Sequence, residues 1–300
     1  MDNNDLSNSL KLSRFVHGFW RLLEWKLSNL QLLKLIEQDI ELGIYSFDHA
    51  DIYGNYECEK QFGAAIRTKP SLRSQIQIIT KCGIKLKSDK IDSRKIKFYD
   101  YSYEHIVASA EQSLINLKTD YIDLLLLHRP SPFFDPEEVA NAFSYLNKSG
   151  KVLNFGVSNF LPSQCDMLNS FVGNSLFTNQ VEISPYNLEH FDNGNMDYFI
   201  KNKIRPMAWS PLAGGEIINP TTEKGFRIYN ILKDIAKELD IEDLEQIAYS
   251  WLLKHPANIV PILGSGNIEH IKIAVKSLKI NMSIEDWFRI YVASKGESLP

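Results

Sequence analysis

Apolar positions along this chain keep two alternating rhythms. Short apolar runs read as strands at 16–19, 44–48, 76–81, 121–128, 152–157, 177–183, 204–209 and 259–263. Stripes spaced three and four residues apart read as helices between them. Leu32, Leu33, Ile36 and Ile40 form the first stripe, entered through the capping box Ser28-Asn29-Leu30-Gln31 and closed by Gly43. Further helices are predicted near 57–67, 106–117, 135–150, 162–170, 195–202, 226–239, 242–255, 267–277 and 283–294. The helix at 135–150 starts on Asp135-Pro136-Glu137-Glu138, a capping acid followed by a first-turn proline. Eight strands alternating with helices predict an α/β fold, a (β/α)8 TIM barrel formed as a single domain by residues 1–300. An open doubly wound sheet is the competing arrangement.

Four polar residues sit at or just past the ends of these runs. Asp48 closes the second, Tyr53 follows it in Ala50-Asp51-Ile52-Tyr53-Gly54, Lys81 closes the third and His128 the fourth. In a barrel, the C-terminal strand ends build the site. Singly, each residue has a structural reading: a strand-end acid, a packed loop aromatic, a snorkelling lysine, a hydrogen-bonded core histidine. Together, an acid, a phenol, an amine and an imidazole can deliver a proton to a carbonyl oxygen.

Composition narrows the partners. At 44% hydrophobic and 23% charged, the chain has enough apolar material for a sizeable core. A net charge of -4 argues against nucleic acid or an anionic membrane as the main partner. The basic stretch 85–97 reads as an anion-facing or simply solvated loop. Met1-Asp2-Asn3-Asn4-Asp5 lacks the basic and apolar halves of a signal peptide, and no apolar run reaches the roughly 20 residues of a membrane helix. Cys58, Cys82 and Cys165 are scattered and form no Cys-x-x-Cys pair, which fits a reducing cytoplasm and no disulfide scaffold. No metal site is expected; Asp48 and His49 are adjacent strand residues and point to opposite faces. The polar segment 82–101 is expected to be a lid or binding loop.

The motifs carry a resemblance. Phe47-Asp48-His49-Ala50-Asp51-Ile52-Tyr53-Gly54 with Glu59 and Gly63, then Ile79-Thr80-Lys81 and the run 124–128, resembles the aldo-keto reductases. So do Gly156-Val157-Ser158-Asn159-Phe160, Asn179-Gln180-Val181-Glu182 and Ala208-Trp209-Ser210-Pro211-Leu212. The match runs from about Gly18 to about His270, and the long loop after Lys81 looks like a bacterial branch of that family. The resemblance implies an NAD(P)H-dependent oxidoreductase that reduces an aldehyde or ketone, a small-molecule carbonyl substrate, to an alcohol. Tyr53 would be the proton donor, Lys81 would lower its pKa, Asp48 would hold Lys81, and His128 would orient the carbonyl. A cofactor-binding regulatory protein on the same barrel, like the potassium-channel β subunits, is the alternative.

No Gly-x-Gly-x-x-Gly follows the first strand, and the family binds NADP(H) without it. By resemblance, Ser158, Asn159 and Gln180 would hold the nicotinamide carboxamide and Trp209 would stack on its ring. Gly18, Phe19 and Trp20 would line the same end. Ser210, Pro211, Leu212, Ala213 and Gly214 would wrap the pyrophosphate. Gly264, Ser265, Gly266, Asn267 and His270 would approach the adenosine phosphate at a helix N-terminus. Asn267 and His270 stand where relatives often carry a lysine and an arginine, which weakens the case for NADPH over NADH and leaves NAD(H) open; asparagine and a helix N-terminus still bind a phosphate, so NADP(H) is favoured. His49 replaces the usual threonine or serine and should face away from the pocket. The substrate pocket is expected from loops 20–26, 82–101 and 129–135, with Phe133 and Phe134 as an aromatic rim beside Arg129, and from the C-terminal tail with Trp287 and Tyr291.

Overall fold

A computed structural model describes residues 10–88, 94–173 and 176–300. The acidic start at 1–5 and positions 89–93 of the long loop lie outside the described residues. The strands are β1 (Val16–Gly18), β2 (Ser46–Asp48), β3 (Gln77–Cys82), β4 (Ile84–Lys85), β5 (Phe98–Tyr99), β6 (Leu124–Leu127), β7 (Phe155–Ser158), β8 (Leu176–Glu182), β9 (Met207–Trp209) and β10 (Val260–Leu263). Eight of them close a parallel barrel in the order β1-β10-β9-β8-β7-β6-β3-β2. The register Val16↔Ile262 and His17↔Leu263 joins first strand to last, which an open doubly wound sheet cannot do. Helices fill the connections, among them Asn29–Glu41, Cys58–Ile66, Tyr103–Leu117, Pro136–Lys148 and Ile268–Lys276.

The local signals act as their chemistry dictates. Gln31 N–H donates to Ser28 Oγ at 3.3 Å while Ser28 N–H donates to Gln31 Oε1 at 2.9 Å, completing the capping box. Gly43 follows that helix at φ +81, a left-handed turn that glycine adopts without strain. Strands are shorter than the apolar runs: of 121–128 only Leu124–Leu127 is ladder, and Ile122 adds a single bridge to Val152. The segment after Lys81 is less formless than its polarity suggests. It opens and closes with a two-residue antiparallel hairpin, Ile84↔Tyr99 and Lys85↔Phe98, pinned by the Lys85–Asp100 pair at 2.5 Å. Strands of two residues carry no detectable period, so the pattern could not show them. Among the described residues, no helix is long and apolar enough to cross a membrane.

Strand alternation positions the site. Val16, Ile79, Leu124, Leu126, Met207, Val260 and Ile262 pack as one cluster inside the barrel, while Phe47, Ile78, Leu125 and Leu127 pack outward against the helices. Asp48, Lys81 and His128 each lie two residues beyond an inward position, or in step with one, so all three project into the barrel mouth.

Outside the barrel, Gly63 lets helix Cys58–Ile66 lie against helix Tyr103–Leu117. A Cβ at Gly63 would stand 2.1 Å from the Asn116 carbonyl oxygen and 2.7 Å from the Leu117 carbonyl carbon. Backbone cannot yield as a flexible side chain does. Gly63→Ala is therefore expected to destabilise the fold by about 1–3 kcal/mol, an overpacking penalty. Chemical denaturation checks this, and an unchanged midpoint would refute the close helix contact.

Candidate active site

Lys81 is the hub of the barrel mouth. Its side chain is only 1% exposed. The ammonium donates to both oxygens of Asp48, at 2.8 and 2.7 Å, to the His49 carbonyl at 2.7 Å, and to the Tyr53 hydroxyl at 3.1 Å. An ammonium buried without such partners would lose its charge. Burial does pull its pKa down, but the Asp48 charge and Tyr53 outweigh it and leave Lys81 above its ordinary value. Asp48 is steadied from its far side by Gln180, whose amide donates to Oδ1 at 2.8 Å.

Tyr53 is half-buried, and its ring lies edge-on to His128 with centroids 5.9 Å apart. Burial pushes the phenol above its ordinary pKa, and Lys81 is the strongest influence pulling it back. Lys81 thus pulls in the expected direction, but burial outweighs it. In a site this dry, desolvation of the phenolate exceeds the attraction of an ammonium already shared with Asp48. His128 is held well below the usual imidazole range by burial and by Lys81, Arg129 and Lys97. Its neutral ring keeps one N–H donor, and its Nδ1 has no hydrogen-bond partner among the described residues.

These groups open into a cavity of about 860 Å³ that runs across the barrel mouth. Gly18, Trp20, Ser158, Asn159, Gln180, Trp209, Ser210, Pro211, Leu212, Gly214, Gly264, Ser265 and His270 line it, as does the catalytic-type set Asp48, Tyr53 and His128. Internal bonds order the wall: Asn159, at φ +63, donates to Ser158 Oγ at 2.7 Å and accepts from the Trp209 indole at 3.1 Å. Ser158 Oγ in turn donates to the Gln180 carbonyl at 2.8 Å.

Lys81 lies buried beneath the lining, and four residues expected to bind cofactor stand apart from it. Phe19 points outward into an aromatic cluster with Trp25, Phe47, His49 and Phe62, because the residue after inward-facing Gly18 must face the helices. Ala213 packs against the main core. Gly266 lies flush on Trp25, where a Cβ would meet the indole at 2.5 Å. Asn267 caps its own helix, accepting from Glu269 N–H at 3.0 Å, so its side chain is already engaged. Two further N–H groups there are also engaged: Asn267 N–H reaches Ser265 Oγ at 3.2 Å and His270 N–H the Asn267 carbonyl at 3.2 Å.

The pocket rim comes from Trp20 and Arg21, from Ile84, Leu86 and Lys97 of the hairpin segment, and from Arg129, whose guanidinium lies 5.6 Å from the Trp209 ring centre. Tyr101 clamps that segment down, donating to the Arg129 carbonyl at 2.5 Å and accepting from its N–H at 3.0 Å. The C-terminal aromatics do not take part. Trp287 stacks on Trp251 at 5.0 Å and on Tyr291 at 5.5 Å and packs on Phe191, and none of these residues lines the cavity. Phe133 is exposed and Phe134 packs on Tyr101 and Phe160, so neither rims the pocket. His49 faces away as expected, between Phe19 and Phe62.

Comparison with known proteins places this geometry. The model of the Aldo/keto reductase family matches residues 14–294. An uncharacterized oxidoreductase of Bacillus subtilis, YcsN, is 47% identical, covering 100% of both chains. The 6-dehydroglucose reductase of Agrobacterium fabrum is 40% identical, covering 98% of each. Among solved structures, an aldo/keto reductase from Klebsiella pneumoniae in complex with NADP and acetate superposes with a TM-score of 0.75 at 22% identity, over 93% of this chain and 90% of that one.

Beneath Lys81 lie two buried acids that sequence reading left as motif members. Glu59 accepts from Thr80 at 2.6 Å and from Asn116 at 3.3 Å, and burial holds its carboxyl above the ordinary range. Asp51 accepts from Ser109 at 2.7 Å, while its Oδ1 has no partner among the described residues. Burial raises the Asp51 carboxyl to about 7, with the Ser109 bond opposing and Glu59 adding to the rise. Unfolded, an aspartate titrates near pH 4, so between about pH 4 and 7 the folded chain holds a proton that the unfolded chain lacks. Stability attributable to Asp51 therefore falls as pH rises through that window. Asp51→Asn keeps the Ser109 bond without the titration, so its melting temperature relative to the parent should be higher at about pH 8 than at about pH 5. Parallel pH dependences in thermal unfolding would contradict the assignment.

Proposed function

The chain belongs to the aldo/keto reductase family, and from that premise we propose that it reduces an aldehyde or ketone to an alcohol with NADPH, Tyr53 giving the proton. The observation that carries the reading is the 3.1 Å bond from the buried Lys81 ammonium to the Tyr53 hydroxyl. A bound reduced nicotinamide supplies the hydride. As charge develops on the carbonyl oxygen, Tyr53 transfers its proton there, and Lys81 stabilises the phenolate left behind. Asp48 and the His49 carbonyl keep Lys81 charged and aimed. Neutral His128 donates one N–H to the same carbonyl oxygen and fixes its angle to Tyr53. The raised phenol pKa suits this task, since Tyr53 stays protonated at neutral pH until the substrate draws on it.

The residues present fit a nicotinamide cofactor. His128 lines the cavity, the Trp209 indole N–H is held by Asn159, and Tyr53, Ser210, Gly214, Gly264 and Ser265 belong to the same lining. Ser158, Asn159 and Gln180 would hold the carboxamide end. Ser210, Pro211, Leu212 and Gly214 would hold the pyrophosphate, with Ser265 and His270 toward the adenosine. With Asn267 committed to its helix cap and no lysine or arginine at 267 or 270, a modest preference for NADPH over NADH is proposed. The rim mixes Trp20, Ile84 and Leu86 with Arg21, Asn55, Lys97 and Arg129, which suits a hydrophilic carbonyl compound. The 6-dehydroglucose reductases of Agrobacterium fabrum and Novosphingobium aromaticivorans, 40% and 36% identical, make 6-dehydroglucose the first substrate to try.

Oxidation of NADPH followed with 6-dehydroglucose and a panel of aromatic and aliphatic aldehydes tests the reading. Turnover is expected with the parent protein, and Tyr53→Phe should lower kcat by about a hundredfold or more, the scale of general-acid catalysis, with cofactor affinity retained. Binding of NADPH without turnover of any carbonyl would favour a regulatory protein instead. Near-normal turnover by Tyr53→Phe would remove that residue from its role.

A further inference from the structure

The outward face of β1 carries a buried ionisable pair that the chemistry above does not use. His17 and Asp39 are both fully buried, with Nδ1 and Oδ2 2.6 Å apart. The other ring nitrogen, Nε2, lies 3.0 Å from the backbone carbonyl oxygen of Ser265, 248 residues later in the chain. A carbonyl oxygen only accepts, so Nε2 must carry the hydrogen. The Nδ1–Oδ2 contact then holds one shared proton, whichever atom bears it. Asp39 Oδ1 has no partner among the described residues, so nothing else in the neighbourhood competes for the carboxyl's attachment to His17.

Ser265 belongs to the turn between β10 and helix Ile268–Lys276. A second element grips the same turn: Gly266 lies against Trp25, which itself sits 5.6 Å from the His17 ring centre. Ser265 Oγ is engaged by Asn267 N–H at 3.2 Å and faces His270 Nδ1 at 3.3 Å. The turn is thus tied by its backbone to β1 and packed by its glycine on the indole. Replacing a buried polar pair by apolar groups of similar shape is often neutral or stabilising, so core stability is a poor account of this one.

We propose that Asp39 and His17 are positioning residues that set the 264–267 turn in the conformation that receives the cofactor's adenosine phosphate. The inference rests on the reading of that turn as the adenosine end of the cofactor site. With no lysine or arginine at 267 or 270, affinity there depends on a turn already in place, because ordering a loop on binding subtracts from the observed affinity. His17 touches no ligand; it acts through the Ser265 carbonyl.

The test titrates the full chain with adenosine 2′,5′-bisphosphate, which probes only the adenosine end, and with reduced nicotinamide mononucleotide, which probes only the other. His17→Phe fills the ring's space without the donor and should weaken the bisphosphate by about tenfold, leaving the mononucleotide within about twofold. Asp39→Asn can donate from its amide to Nδ1 and keep the hydrogen on Nε2, so it should retain parental affinity, whereas Asp39→Leu should lose it like His17→Phe. The Asp39 pair decides the matter if His17→Phe does not fold. Equal bisphosphate affinity across parent, His17→Phe and Asp39→Leu would overturn the positioning role alone. A parent that binds the mononucleotide but no bisphosphate would overturn the adenosine reading of the turn, and this inference with it.

Discussion

An ammonium ion buried inside a ring of strands is the constraint around which this molecule is arranged. Left alone there, Lys81 would lose its proton or open the barrel mouth to water. Asp48 on the neighbouring strand compensates it through both oxygens, the His49 carbonyl takes a third hydrogen bond, and the remaining direction points to Tyr53. The alternation of β2 and β3 is what brings acid and amine to the same side of the sheet. Gln180, from across the barrel, then locks the acid. Removing either charge strands the other, so the pair is a stronger constraint on sequence than on net stability.

Around that pair the protein separates charged from neutral groups. Lys81 is kept charged, Tyr53 is kept protonated with Lys81 ready to receive its phenolate, and His128 is kept neutral by burial beside three cations. Asp51 and Glu59, a layer below, are pushed up by burial, so they add little negative charge to compete with Asp48 for the lysine. The partners differ: Asp48 faces a cation and an amide donor, while Asp51 and Glu59 accept from the neutral groups of Ser109, Thr80 and Asn116.

Much of this was legible in the chain. The spacing of apolar runs gave eight strands, and the polar residue ending the second, third and fourth gave Asp48, Lys81 and His128 at one end. Motif resemblance added Tyr53, which the period of a strand cannot place because it sits in a loop. What escaped reading depends on direction and on partners distant in sequence. Motif resemblance puts Phe19 at the pocket, but its neighbour Gly18 faces inward, and strict alternation sends Phe19 to the core. Trp287 and Tyr291 look like pocket aromatics in a terminal helix, but Trp251 and Phe191 claim them. Asn267 carries the signature of a helix cap, and that use excludes a free side chain. The Gln180–Asp48 bond and the His17–Asp39–Ser265 tie join positions 132 and up to 248 apart, and no local pattern encodes them.

The central claim is that Lys81, held by Asp48, draws Tyr53 toward its phenolate. On the proposed mechanism, Tyr53 must be deprotonated to accept the hydroxyl proton in alcohol oxidation, so the rate is expected to climb with pH until the phenol has titrated. The pH–rate profile of that oxidation, compared between the parent and Lys81→Met, reads the electrostatic contribution directly. Loss of the ammonium should move the rising limb to higher pH, in addition to lowering the rate. A limb that stays in place in a folded Lys81→Met protein would show that the lysine does not tune the tyrosine.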